Sequence, residues 1–177
     1  MIKEEIIIAG FGGQGILSAG RVLANAGLIE KKNVSWLPSY GPEMRGGTAN
    51  CSVVISDEPV ASPILNFASS LIVMNSPSLV KFEKVVYEGG VIIIDDSLVD
   101  VDVKRKDVTV YRIPASKMAD EMGNVTYANI ILLGKLIAYT KVISTDSFEA
   151  ALKKVLPPKK HHMIPEEMEA LKKGMNF

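Results

Sequence analysis

This 177-residue chain has one cysteine, Cys51, and two histidines, His161 and His162. An iron–sulfur cluster usually takes four thiolates and a disulfide takes two, so the chain can complete neither by itself. The histidines are adjacent, inside Pro157-Pro158-Lys159-Lys160-His161-His162, and no third His, Cys or carboxylate stands at a spacing that would complete a zinc site. No metal ligand set is assigned, and that stretch, the one linker-like piece of the chain, reads as a solvated basic turn or an interface feature.

An excess of charge is also missing. The 20 Lys and Arg balance the 20 Asp and Glu, which removes long-range attraction to nucleic acid or to a membrane surface. Membrane-length apolar runs are absent too. The most apolar stretch, Ala128 to Ala138, is interrupted by Asn129 and Lys135 and is too short to span a bilayer. It reads as a buried or subunit-facing helix, and Ile130, Leu133 and Ile137 on it are the expected contacts for self-association or for partner chains. The beginning, Lys3-Glu4-Glu5, leads into a short strand rather than a secretory signal, so a cytoplasmic protein is expected.

What is present is glycine in two places. Gly10-Phe11-Gly12-Gly13-Gln14-Gly15 follows the β-branched run Glu5 to Ala9, and Ile16-Leu17, Gly20, Leu23-Ala24 and Gly27-Leu28 recur behind it at helical spacing. Strand, turn and helix therefore follow in order. Glycines there permit positive φ and close approach of a ligand, and the free N–H groups of the helix start favour an anion. The bland alternative is a tight turn with no ligand. A nicotinamide-binding domain should add an acidic residue at the end of its second strand. Here the second strand, Val34 to Pro38, ends in Ser39-Tyr40-Gly41, and Glu30 precedes it, at the wrong end to reach the carboxyl edge of the sheet.

That edge receives instead the second glycine stretch, Ser39 to Cys51, carrying Tyr40, Glu43 and Arg45, with Gly46 and Gly47 beyond them. Arginine in a glycine-lined turn offers a planar fork of donors to a carboxylate or phosphate; its alternative is a salt bridge to Glu43 or to a neighbouring subunit. The candidate anion site is thus Gly10, Gly12, Gly13, Gln14, Gly15, Tyr40, Glu43, Arg45, Gly46 and Gly47. No catalytic residue is assigned, since the chain shows no general base, nucleophile or redox ligand set.

Further along, Thr48 to Ser56 alternates, with Cys51 pointing inward as a small core residue. Leu71 to Met74 and Val91 to Ile94 are unbroken apolar strands around a helical segment near Leu79 to Tyr87, and Val108 to Arg112 is another strand. Unbroken apolar strands require cover on both faces. Helices are expected over about Ser116–Met122, Tyr127–Thr140, Asp146–Val155 and Pro165–Lys173. The fold class is α/β, a three-layer α/β/α sandwich with a mixed, largely parallel sheet and a Rossmann-like start. One domain spans 1–177, with its C-terminal helices from about 145. Asp95-Asp96 and Asn75-Ser76 follow strands at the carboxyl edge, where they either line a crevice or, as with Asp96 and Ser97, cap the next element.

Taken together, G-F-G-G-Q-G, S-Y-G-P-E-M-R-G-G-T-A-N-C, Met122-Gly123-Asn124 before a helix with Asn129 and Gly134, and Ile164-Pro165-Glu166 through Gly174 resemble the gamma subunit of the 2-oxoacid:ferredoxin oxidoreductases. The resemblance covers essentially the whole chain. Its central segment is closer to the 2-oxoglutarate and 2-oxoisovalerate small gamma subunits than to the G-P-E-R-R-G-A-P pattern of pyruvate enzymes. The resemblance implies oxidative decarboxylation of a 2-oxoacid to an acyl-CoA, with electrons passed to ferredoxin. It implies alpha and beta partner subunits, and it admits a ferredoxin-like delta subunit. Thiamine diphosphate and iron–sulfur clusters would be held by those partners rather than by this chain alone, and coenzyme A would arrive near the gamma subunit. Two alternatives stay open: a stand-alone Rossmann-like nucleotide-binding module, and a purely structural assembly subunit.

Overall fold

The computed structural model describes the chain outside residues 41–47 and the side chain of Tyr40. The strands are β1 (Lys3–Phe11), β2 (Asn33–Tyr40), β3 (Thr48–Ser56), β4 (Ala68–Val73), β5 (Val86–Asp95) and β6 (Thr109–Ile113). The helices are α1 (Ile16–Ile29), α2 (Ser76–Phe82), α3 (Ala115–Glu121), α4 (Ala128–Thr140), α5 (Thr145–Val155) and α6 (Ile164–Asn176). One sheet takes the order β2-β3-β1-β4-β5-β6. From β1 to β6 the strands are parallel, whereas β3 runs antiparallel to both β1 and β2.

The expected α/β architecture is therefore present, with one refinement at its start. β1, α1 and β2 follow as a Rossmann-like unit does, but β3 is inserted between the two strands. The register places Gly10 opposite Ala49 and Ala49 opposite Tyr40, so the end of β2 and the start of β3 stand at the same edge as the glycine turn.

β1 and β5 read as continuous apolar runs because both sheet faces bury them. Ile6 and Ile8 point into the larger core with α1, α4, α5 and α6, while Ile7 and Ala9 point into a smaller core with Leu79 of α2. The two outer layers are unequal, since among the described residues α2 and a single 3-10 turn, Glu83–Val85, are the only helical elements on the second face. The expected helix at Leu79–Tyr87 is corrected here. It runs from Ser76 through Val85, starts where the Asn75 side chain accepts the Ser78 N–H at 2.8 Å, and gives way to β5, which already holds Tyr87. The stretch expected as a linker is likewise a 3-10 turn, Pro158–Met163, in which a His161 ring nitrogen lies 2.9 Å from the Leu156 carbonyl oxygen.

Helix α4 is not an exposed subunit face. Ile130, Leu133 and Ile137 are 7%, 1% and 3% exposed, so the residues expected to meet a partner are core of this chain. α6 covers them at unusually short range. A Cβ placed on Gly174 would stand 1.7 Å from the Ile131 carbonyl oxygen, and one on Gly134 would stand 2.1 Å from that of Leu171. Two glycines facing each other's backbones let the helices meet where side chains would hold them 8–10 Å apart. This explains why Gly is tolerated in both helix interiors despite costing about 1 kcal/mol relative to Ala. No helix among the described residues is long and apolar enough to cross a membrane.

Gly174→Ala should push α6 off α4 and cost about 1–3 kcal/mol, the usual penalty for overpacking. Urea unfolding of the variant beside the parent checks this, and an unchanged midpoint would show that the contact is looser than described.

Candidate functional site

The glycine turn is built from its own polar side chain. Gln14 Oε1 accepts the Phe11 N–H at 2.6 Å, and Gln14 Nε2 donates to the Met74 carbonyl at 3.1 Å, tying the end of β1 to the end of β4. Gly10 makes room for this, because a Cβ there would lie 2.4 Å from Gln14 Oε1. Gly13 and Gly15 have φ of 92° and 73°, values that an L side chain rarely adopts. The third tie comes from 115 residues away in the chain, where Asn129 Nδ2 at the start of α4 donates to the Gln14 carbonyl at 3.1 Å. Its distance to the Gly15 carbonyl is 3.4 Å, and a Cβ on Gly15 would fall 2.2 Å from the same nitrogen.

The turn hands over to α1 without any side chain capping that helix and without an acidic residue in its first turn. Its first N–H groups therefore have no side-chain cap, and the positive end of its dipole lies at the opening. Two grooves flank the opening. One of about 280 Å³ lies between Phe11, Gly12, Gly13, Ser18 and Ala49; the other, about 270 Å³, lies between Gly13, Gly15, Leu98, Ser116 and Asn129. The residues predicted from sequence thus divide. Gly10 and Gln14 shape the turn, Gly12, Gly13 and Gly15 line its open faces, and Tyr40 brings its backbone to the same edge. Glu43, Arg45, Gly46 and Gly47 lie outside the described residues.

Other candidates have structural work. Asp95, fully buried, accepts the Ser97 and Ser116 N–H groups at 3.1 and 3.2 Å and the Ser116 hydroxyl at 2.5 Å. The cap therefore belongs to Asp95, not to Asp96, which pairs with Arg112 at 2.6 Å. Asn75 caps α2, and the Ser76 hydroxyl bonds Asp100, so neither reaches the glycine turn. Glu30 stands at the far end of α1, where its carboxylate accepts the Ser144 N–H at 2.6 Å. Burial draws its pKa upward, but hydrogen bonds from Ser144, Ser147 and Lys32 prevail and leave it lowered. It cannot serve a ribose at the carboxyl edge.

Cys51 is fully buried, with its thiol 3.5 Å from the Ile16 carbonyl. Burial pushes its pKa up to about 12 against smaller opposing contributions from Trp36 and Gly20, as expected of a small core residue rather than a reactive thiol. Asn129 is the residue whose role the sequence did not disclose. The available signal was its position, a carboxamide at the head of an otherwise apolar helix, which must find a partner when buried.

Residues 5–177 match the family model described as pyruvate ferredoxin/flavodoxin oxidoreductase. The 2-oxoglutarate synthase subunit KorC of Methanocaldococcus jannaschii is 38% identical over 88% of this chain and 85% of its own length. The ketoisovalerate oxidoreductase subunit VorA of Methanothermobacter marburgensis is 43% identical over 77% of this chain, which spans only 28% of that longer protein. Among solved structures, the gamma subunit of a keto/oxoacid ferredoxin oxidoreductase from Geobacter sulfurreducens superposes with a TM-score of 0.84 at 28% identity, covering 99% of this chain and 96% of that one. The 2-oxoglutarate:ferredoxin oxidoreductase of Magnetococcus marinus, with 2-oxoglutarate, coenzyme A and succinyl-CoA bound, gives 0.89 at 25% identity, over 99% of this chain and 31% of the larger one.

Replacing Gln14 by Ala should cost about 1 kcal/mol, the net worth of an ordinary hydrogen bond, and speed amide exchange at Gly12, Gly13 and Gly15. Unchanged exchange there would show that Asn129 alone holds the turn.

Proposed function

The chain belongs to the pyruvate ferredoxin/flavodoxin oxidoreductase family, and from that premise we propose that it is the gamma subunit of a multisubunit 2-oxoacid:ferredoxin oxidoreductase. The assembled enzyme decarboxylates a 2-oxoacid, passes the acyl group to coenzyme A and delivers the electrons to ferredoxin. The observation that most supports this is the match to KorC over most of both chains. An open, braced turn without any redox ligand agrees with such a division of labour. The single buried cysteine fits no cluster, so iron–sulfur clusters and thiamine diphosphate belong to alpha and beta partners and to a ferredoxin-like delta subunit where one is present. Identity is higher to KorC and VorA, at 38% and 43%, than to the pyruvate/ketoisovalerate common gamma subunit of Thermococcus litoralis, at 29%, which favours 2-oxoglutarate or a branched 2-oxoacid over pyruvate. The complex works in the cytoplasm.

In this reading the glycine turn serves coenzyme A. Gly12, Gly13 and Gly15 present backbone N–H groups to its phosphates, Gly10 and Gln14 hold the turn in shape, and Tyr40, Glu43, Arg45, Gly46 and Gly47 supply the facing loop. Arg45 contributes the fork of donors. This chain orients and neutralises an anion while the chemistry proceeds on its partners.

Purification of the native complex should yield alpha and beta chains with this one, and the isolated chain should be colourless and unable to reduce methyl viologen with a 2-oxoacid and coenzyme A. Within the complex, Arg45→Ala should weaken coenzyme A by about 1.5–3 kcal/mol, read as a raised KM for coenzyme A with thiamine-centred decarboxylation less affected. A variant complex that assembles and keeps its coenzyme A dependence would remove Arg45 from the site. Failure to assemble would place it in the subunit interface.

A further inference from the structure

Behind the glycine turn, between α1, α4, α5 and α6, lies a third cavity of about 210 Å³, which adjoins the flanking grooves at Gly15, Ser18 and Asn129 and whose inner part the proposed function leaves without a role. Its walls are apolar, formed by Val22, Leu133, Phe148 and Leu152 among others. Such a wall alone would mark a packing defect. What distinguishes it is Glu167, which lines the cavity while only 7% exposed, and whose Oε2 is buried with no hydrogen-bond partner. A buried acceptor without a donor costs about 1–3 kcal/mol, and more when it is charged, so a native structure rarely leaves one without a function.

The second polar group is a cation. Lys160, exposed on the 3-10 turn before α6, lines the same cavity, yet forms no ion pair with Glu167 among the described residues. The two charges influence one another nonetheless: burial raises the Glu167 pKa and the Lys160 charge partly opposes that rise. Acceptor and cation in one apolar chamber, unpaired with each other, call for a ligand that carries the opposite charge at each. A ligand with an ammonium at one end and a carboxylate at the other can engage both groups at once, the buried Glu167 inside and the solvated Lys160 at the rim.

We propose that this cavity binds a free α-amino acid with an aliphatic side chain, its ammonium on Glu167, its carboxylate toward Lys160 and its side chain against Leu133, Phe148 and Leu152. The volume suits a branched side chain of leucine size. Gly15 and Ser18 also line the chamber, so an occupant would touch the start of α1 and could adjust the turn from behind. The inference rests on the cavity and not on the assignment of coenzyme A.

The test is calorimetry on the full chain with L-leucine, leucinamide and 4-methylpentanoate as probes. L-leucine should bind, and leucinamide and 4-methylpentanoate should each bind at least about tenfold more weakly, the loss of one charge-assisted contact apiece. Lys160→Ala, at an exposed position that should not disturb folding, should abolish the preference for leucine over leucinamide. Glu167→Gln should abolish the preference over 4-methylpentanoate. Absence of leucine binding to the parent chain at 10 mM, equal binding of all three probes, or unchanged preferences in Lys160→Ala would overturn the proposal. Because no coenzyme A enters the experiment, its failure leaves the proposed function untouched.

Discussion

The glycine turn at the carboxyl edge of this sheet is braced from the core by one carboxamide. Asn129 sits at the first turn of α4 and reaches across to the carbonyls of Gln14 and Gly15. Those carbonyls belong to a turn rich in glycine, which loses the most entropy on ordering. A turn of that composition becomes a defined anion site only if something rigid holds it. α4 is rigid because it is enclosed, and it is enclosed because Gly134 and Gly174 let α6 come close. The chain of cause runs from a helix crossing deep in the core to the placement of backbone N–H groups at the surface.

The same constraint explains why the larger core lies on one face. α1, α4, α5 and α6 crowd behind the glycine turn, while α2 and loops suffice on the other face, where only a smaller cluster around Leu79 is enclosed. Gln14 joins two neighbouring strand ends at the middle of the sheet edge by binding Phe11 and Met74, so β1 and β4 deliver their last residues in fixed relation. Insertion of antiparallel β3 beside β1 then returns the chain after residue 47 to the same place. Tyr40 and Thr48, at the ends of β2 and β3, thereby stand at the edge that carries the glycine turn.

Much of this was legible in the sequence. The apolar runs of β1, β4 and β5 announced strands buried on both faces, and the 3.6-residue spacing behind Gly15 announced α1. Its lone cysteine read correctly as core. What escaped was whatever depends on pairing at a distance. Periodicity identifies Ile130, Leu133 and Ile137 as buried, but cannot say that α6 rather than another subunit covers them. Asp95 and Asp96 look alike in sequence, and only the position of Ser116 decides which one caps. Asn129 was visible as a motif residue, whereas its partners lie more than a hundred positions away. The strand inserted between β1 and β2 is likewise a matter of topology, since a local pattern does not specify which neighbour a strand chooses.

In the proposed role, the opening of α1, held by Gln14 and Asn129, receives the phosphates of coenzyme A in the assembled enzyme. Hydrogen–deuterium exchange on the native complex, with and without coenzyme A, tests it most directly. The account predicts slowed exchange confined to the peptide spanning Gly12 to Ala19 and to the segment joining β2 to β3. Unchanged exchange in both segments at saturating coenzyme A, with protection only in the partner chains, would contradict it.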